Sequence, residues 1–327
     1  MNRPLTLACA PYDRTAALAD GRIRPRGIDL TYLGLPVEEI FYRMARYREF
    51  DVAEMSLSSY TISLSHGAPF VAIPVFPSRA FRHHAVYVHA GSGIERPEDL
   101  AGRLVGVPEY QITAAVWIRG ILAEYHGVPV ASVRYRTGGL HQPGREEKIA
   151  IDIPGVEIEP VPAGRTLDDM VVAGELDAVY TARAPRSFLE GNPSVRRLWA
   201  DPRAAETAYF NRTGIFPVMH TLAIRREVYE RDRWIARSLL DAFEQAKALA
   251  AAELEETASF AGMLPWAHEQ AREVRAVMGN DFWPYQLAPN EHTLRTLLGY
   301  LHDQGLVPGR PEPADLFAPE TQSTVLV

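Results

Sequence analysis

Short apolar runs alternate with segments of helical spacing through the first half of the chain, and that alternation limits the folds open to it. Leu5 to Ala10, Ile28 to Leu33, Asp51 to Met55 and Phe70 to Val75 read as strands. Between the second and third, Val37 to Arg48 places Ile40, Phe41, Met44 and Tyr47 on one helical stripe. Tyr12-Asp13-Arg14-Thr15 reads as a polar turn, and Ser56, Ser58 and Ser59 offer N-caps for a helix after the third strand. Strands that alternate with helices predict an α/β architecture with a mainly parallel sheet covered on its faces.

The pattern restarts further on. Ala85 to Val88 is a strand followed by the Gly91-Ser92-Gly93 break, and Pro97 to Val107 reads as a helical turn, a glycine stop and an apolar strand. Thr113 to His126 is a helix stopped by Gly127, Val133 to Tyr135 a strand, and residues 137–155 a long polar surface loop. Val156 to Val161 and Ala178 to Tyr180 are strands on either side of a helix from Leu167 to Val172. Ile215 to Ile224 is a returning strand, followed by helices from about Ile235 and from Asn290. A chain of 327 residues is long enough for two domains. Two α/β domains joined by two crossovers describe a bilobal, periplasmic-binding-protein-like fold. The expected division is 1–87 plus 217–327 for a discontinuous first domain with the C-terminal helices, and 88–216 for an inserted second one. In such folds ligands sit at the carboxyl ends of the strands, where helix N-termini point, so a cleft between the domains is the expected site.

Composition removes several function classes. The net charge is -7 and no basic block occurs, which argues against nucleic acid and anionic membrane as partners. No stretch approaches the roughly 18 apolar residues of a membrane span. The single cysteine, Cys9, rules out an internal disulfide and reads as a buried strand residue, so a cytoplasmic location is expected. Of 34 basic residues all but Lys148 and Lys247 are Arg, so any anion site here is built from guanidinium forks.

Polar groups gather at the expected strand ends. They are Tyr12-Asp13-Arg14, Ser56 to Ser59, Ser78 to His84, Glu109-Tyr110-Gln111, Thr181 to Arg183 and Met219-His220. Arg79, Arg82, His83 and His84 fall within one short segment suited to an anionic ligand, or to a solvated loop. Neighbours in an extended segment point to opposite faces, so His83 and His84 do not readily share a metal, and no compact Cys/His set is present. Glu109 precedes a helix, where it serves either as a charge partner of the helix end or as an acid/base. Ser58 and Ser59 suit capping better than nucleophilic attack, since no Gly-x-Ser-x-Gly elbow is present. Gly-rich nucleotide motifs are absent as well. Trp266, Trp283 and Tyr285 read as core aromatics.

Longer segments carry a family resemblance. They are Asp51 to Tyr60, Ile73 to Arg79, Gly106 to Gln111, Val116 to Gly120, Tyr180 to Pro185, Gly214 to His220 and Asp281 to Tyr285. Together they resemble the 4,5-dihydroxyphthalate decarboxylase family over about residues 5 to 320. The resemblance implies a type II periplasmic-binding-protein-like fold. It also implies a carboxy-lyase of phthalate degradation and aromatic catabolism that converts 4,5-dihydroxyphthalate to protocatechuate and CO2. Such a reaction protonates the ring carbon bearing the carboxylate, helped by electron density from the para hydroxyl, and needs no organic cofactor. Strand-end position then assigns carboxylate binding to Arg14, Arg79, Arg82 and Arg183, assisted by Ser58 and Ser59 through a helix N-terminus, with Gln111 a further substrate-binding residue. His83, Glu109 and His220 are the acid/base candidates, with Asp13 or Tyr110 at the hydroxyls. The expected partner is a small aromatic carboxylate, with a homo-oligomer and metal assistance left open. The alternatives are a binding protein of the same fold that performs no chemistry, and a sister enzyme acting on another aromatic acid.

Overall fold

In the computed structural model, which describes residues 2–67, 69–147, 151–260 and 262–322, chain order and spatial order diverge. Contacts divide the chain into two units, Met1–Arg79 with Val218–Arg295 and Pro311–Val327, and Ala80–Pro217 with Thr296–Arg310. The first unit opens with β1 (Arg3–Cys9), α1 (Asp13–Ala19), β2 (Ile28–Gly34), α2 (Val37–Tyr47), β3 (Val52–Ser56), α3 (Leu57–Leu64) and β4 (Phe70–Ile73). The second holds β5 (Val86–His89), β6 (Leu104–Val107), α4 (Thr113–His126), β7 (Arg134–Thr137), β8 (Ile158–Pro160) and α5 (Leu167–Val172). It continues with β9 (Ala178–Tyr180), α6 (Arg186–Leu189), β10 (Val195–Arg197) and α7 (Pro202–Thr213). The chain then returns through β11 (His220–Arg225), α8 (Arg226–Arg231), α9 (Trp234–Glu253), α10 (Ala267–Met278) and α11 (Glu291–Asp303).

Each unit is built on one mixed sheet, ordered β2-β1-β3-β11-β4 in the first and β10-β5-β9-β6-β7-β8 in the second. The β1, β2 and β3 ladders are parallel, as are those linking β9, β6, β7 and β8. The sheets are less parallel than the alternation suggests. Strand β11 runs antiparallel to both β3 and β4, and β5 antiparallel to both β9 and β10. Strand β11 arrives from the other unit rather than through a local helical crossover, so the constraint that makes such neighbours parallel does not act on it.

Strand β3 lies inside its sheet and all five of its residues are buried, Glu54 included. In the second unit α4 buries ten consecutive residues, Thr113 to Leu122, and ends at Gly127, whose φ of 62° supplies the left-handed cap. A Cβ on Gly120 would stand 2.1 Å from the Tyr300 ring, so only glycine lets that ring lie against α4. Trp117 meets the same ring edge-on at 5.5 Å, and the Gln304 amide donates to the Val116 carbonyl at 2.9 Å.

These contacts draw residues 296–310 into the second unit, where the sequence reading left them with the first, and the same division moves residues 80–87 to the second. Tyr12 to Thr15 is the start of α1 rather than a turn. Of the expected loop 137–155, residues 148–150 lie outside the described residues, and its flank at Arg145 and Glu147 folds back onto the β6–α4 turn. Trp283 donates to the Phe76 carbonyl at 2.9 Å and Tyr285 is buried, but Trp266 is 70% exposed and belongs to no core. Among the described residues no helix is long and apolar enough to cross a membrane.

Candidate functional site

In the first unit, parallel β1 and β3 finish at the same sheet end, and antiparallel β11 begins there with His220 opposite Ser56. Glu54 pairs with Leu222, two residues further along β11, so Glu54 and His220 are diagonal neighbours on one face, within reach of long side chains. His220 Nδ1 lies 2.6 Å from Glu54 Oε1. The Tyr12 hydroxyl donates to the same oxygen at 2.7 Å, while the Ala10 N–H and the Cys9 thiol donate to Oε2 at 3.0 Å and 3.4 Å. Four donors therefore converge on one fully buried carboxylate.

Burial alone would raise the Glu54 carboxyl, but the hydrogen bond and charge of His220 together with the Ala10 and Tyr12 donors outweigh it. They hold Glu54 below the ordinary carboxylate range and therefore ionised. Burial, reinforced by the Glu54 charge, pushes the Cys9 thiol and the Tyr12 hydroxyl upward, so both remain protonated donors. The carboxylate fixes the histidine tautomer with hydrogen on Nδ1 and leaves Nε2 for proton exchange. The Phe41 ring packs edge-on against the imidazole at 4.9 Å and limits its rotation.

Several expected residues collect in this unit. Ser56 caps α3, accepting from the Ser59 N–H at 3.5 Å and the Ser59 hydroxyl at 3.2 Å, with the Ser58 hydroxyl at 3.3 Å. Arg14 is stacked between the Tyr12 and Trp283 rings, 4.2 Å and 4.1 Å from their centroids. It donates to the Pro77 carbonyl at 2.7 Å and to Asp13 at 2.9 Å. Arg79 is buried, which pulls it down to about 9, and its Nη2 donates to the Pro284 carbonyl at 2.6 Å and to Asn290. These two forks grip the protein's own groups and fasten the segments around Pro77 and Pro284.

The second unit has a different strand-end cluster. His83 is packed between the Trp199 and Tyr209 rings, 5.1 Å and 5.3 Å away, and burial pulls it down to about 4. It is neutral near pH 7, and its Nδ1 has no hydrogen-bond partner among the described residues. Burial also pulls the neighbouring Arg82 down to about 10. His84 is bound instead to Glu206, Nδ1 to Oε1 at 2.8 Å. At the end of β6, Glu109 is buried and paired with Arg145, at 2.8 Å to Nε and 2.7 Å to Nη2. Beside it, the Tyr110 N–H and the Gln111 side-chain amide both donate to Glu147, the latter at 3.2 Å. Arg183 is exposed beyond β9, its N–H on the Thr181 hydroxyl at 3.3 Å.

The sequence-derived residues thus fall into two sets. Asp13, Arg14, Ser58, Ser59, Arg79 and His220 belong to the first unit, and Arg82, His83, Glu109, Tyr110, Gln111 and Arg183 to the second. Glu54, Arg145 and Glu147 are not among the residues that strand-end position singles out. A carboxylate inside an otherwise apolar strand was the available signal for Glu54, whereas Arg145 and Glu147 sit in a polar loop that resembles any solvated segment. Among the described residues no group of three or more His, Cys, Asp or Glu side chains is placed to hold a metal ion.

No protein-family profile matches the chain. A Comamonas testosteroni protein named 4,5-dihydroxyphthalate decarboxylase is 42% identical over 317 residues, covering 96% of each chain. A Pseudomonas putida protein of the same name is 43% identical over 208 residues, 63% of this chain and 81% of that one. Among solved structures, the alkanesulfonate-binding protein SsuA from Xanthomonas axonopodis pv. citri matches with a TM-score of 0.55 at 14% identity, covering 96% of this chain and 97% of that one. The periplasmic aliphatic sulphonate binding protein SsuA from Escherichia coli matches with a TM-score of 0.54 at 13% identity, covering 98% and 99%. The two α/β units therefore have the periplasmic-binding-protein-like fold.

Proposed function

Because the chain belongs to the 4,5-dihydroxyphthalate decarboxylase family, we propose that it is a carboxy-lyase that removes CO2 from an aromatic dicarboxylate, with 4,5-dihydroxyphthalate as substrate and protocatechuate as product. The observation that carries this reading is the Glu54–His220 pair, a histidine anchored by a buried carboxylate. The imidazolium of His220 gives its Nε2 proton to the ring carbon bearing the leaving carboxylate, and Glu54 stabilises the charged ring before transfer. Asp13 polarises the phenolic proton para to that carbon, so electron density reaches the ring as the new C–H bond forms. The bond to the carboxylate then breaks, its electron pair restores the aromatic ring, CO2 leaves, and the phenolic oxygen recovers its proton. His220 is reprotonated from solvent, so one proton is consumed per CO2 released. Nothing in these steps calls for an organic cofactor.

Incubation with 4,5-dihydroxyphthalate, following CO2 and protocatechuate, tests the reading. Stoichiometric appearance of both supports it. The likeness to sulfonate-binding proteins favours a second reading, a receptor without chemistry, for which tight binding with no product is the mark.

A further inference from the structure

The β6–α4 turn of the second unit already holds a carboxylate. One Glu147 oxygen accepts the Tyr110 main-chain N–H and the other accepts the Gln111 amide at 3.2 Å, and both Tyr110 and Gln111 are wholly buried. Arg119, 1% exposed, lays its guanidinium 3.6 Å from the Tyr110 ring centroid and donates Nη2 to the Tyr110 carbonyl at 2.6 Å. Its Nη1 has no hydrogen-bond partner among the described residues. A main-chain donor and a buried amide, with the charge of buried Arg119 favouring the ionised form, suit a carboxylate.

The resident is poorly settled. Glu147 belongs to a loop whose Gln142, Pro143, Gly144 and Glu146 are exposed, and Glu109, itself paired with Arg145, is a second carboxylate close by. Burial, with the Glu109 charge adding to it, pushes the Glu147 carboxyl above its ordinary range, so its ionised form is held against opposition.

We propose that this turn is a carboxylate-binding site occupied by the chain's own Glu147, and that a small external carboxylate takes Glu147's place on the Tyr110 N–H and the Gln111 amide. The site deepens the decarboxylase reading and rests on it, because Tyr110 and Gln111 stand among the residues expected to meet its substrate. A tethered occupant lowers apparent affinity by the fraction of time it holds the site, so removing one that is seated nine-tenths of the time tightens external binding about tenfold.

Calorimetric titration with phthalate, which lacks the hydroxyls that would let it react, reads this directly. Glu147→Ala is expected to bind phthalate about tenfold or more tightly than the unaltered chain. Glu146→Ala, which removes the same charge from an exposed neighbour, is expected to leave the affinity unchanged. Equal or weaker binding by Glu147→Ala overturns the proposal, as does equal tightening by Glu146→Ala, which would make the effect one of net charge. Absence of phthalate binding to all three proteins overturns it as well. Release of CO2 from 4,5-dihydroxyphthalate is scored separately, so failure of the decarboxylase reading leaves these outcomes legible.

Discussion

His220 and His83 each lie beside a strand end of one unit, His220 partly exposed and His83 buried, and their surroundings differ in kind. His220 has a buried carboxylate on Nδ1 and three further donors steadying that carboxylate. His83 has aromatic faces, no ion pair among the described residues and a pKa pulled by burial to about 4 against the charge of Glu206. A charged partner offsets the desolvation of an imidazole, whereas burial among apolar rings without such a partner disfavours its charged form. The difference lies in the neighbours, and strand-end position cannot register it.

The comparison breaks most sharply at His220. His220→Gln is expected to lower decarboxylation by about 10²- to 10⁴-fold, the range of a lost general acid, with phthalate binding retained. Steady-state rates beside a binding titration check this, and near-normal turnover would remove His220 from the chemistry. Glu54→Gln is expected to cost up to about 10⁴-fold as well, because an amide neither holds the Nδ1–H tautomer nor stabilises the imidazolium. The Glu54 carboxyl is depressed in the fold, so its contribution to stability is present above about pH 4.3 and is lost as pH falls through the lower folded value. Denaturant titrations of Glu54→Gln are expected to lack that acid-side loss.

His83 sharpens the contrast from the other side. Its folded value, about 4, lies below the unfolded value near 6.5, so neutral His83 favours the fold fully above pH 6.5. That advantage, on the order of 3 kcal/mol, is lost as pH falls toward 4, where the unfolded chain takes up a proton that the fold refuses. His83→Phe is expected to flatten this part of the stability–pH curve and to leave turnover within about twofold, since an uncharged packing residue does not enter transition-state stabilisation. A large fall in turnover with binding intact would return His83 to the catalytic set. The smallest effect is expected at Gly120→Ala, where the added Cβ presses on the Tyr300 ring and costs about 1–3 kcal/mol in thermal unfolding.

The parts of the fold that declare themselves in the sequence carry their own punctuation. Helix α4 runs Thr113–His126 to its Gly127 stop, as spacing predicts, because its cap and its apolar residues agree. Helix α5 is bounded in the same way by its Thr166 cap. Helix α7 is missed because only Tyr209 along it is buried, so no apolar stripe marks it. Strand β10 is three residues long, two of them Arg, and owes its existence to pairing with β5. Strand-end logic singles out His220 and Gln111, which lie against Glu54 and Glu147, while Glu54 is concealed because a residue pattern cannot show which donors will meet a buried charge. The guanidinium groups of Arg14 and Arg79 hold main-chain carbonyls, an engagement that a count of charges in the sequence does not show.

Helix α11 is claimed by one unit at its start and by the other from residue 296 onward. The Tyr300 ring that lies over Gly120, and Gln304, which accepts from Arg119 at 2.8 Å, are therefore made long after the sheet they help to cover. During synthesis the central segment emerges with that surface of α4 bare, and its cover arrives only with residues 296–310. A nascent chain stalled before residue 296 would carry an unsealed helix face for a chaperone to guard.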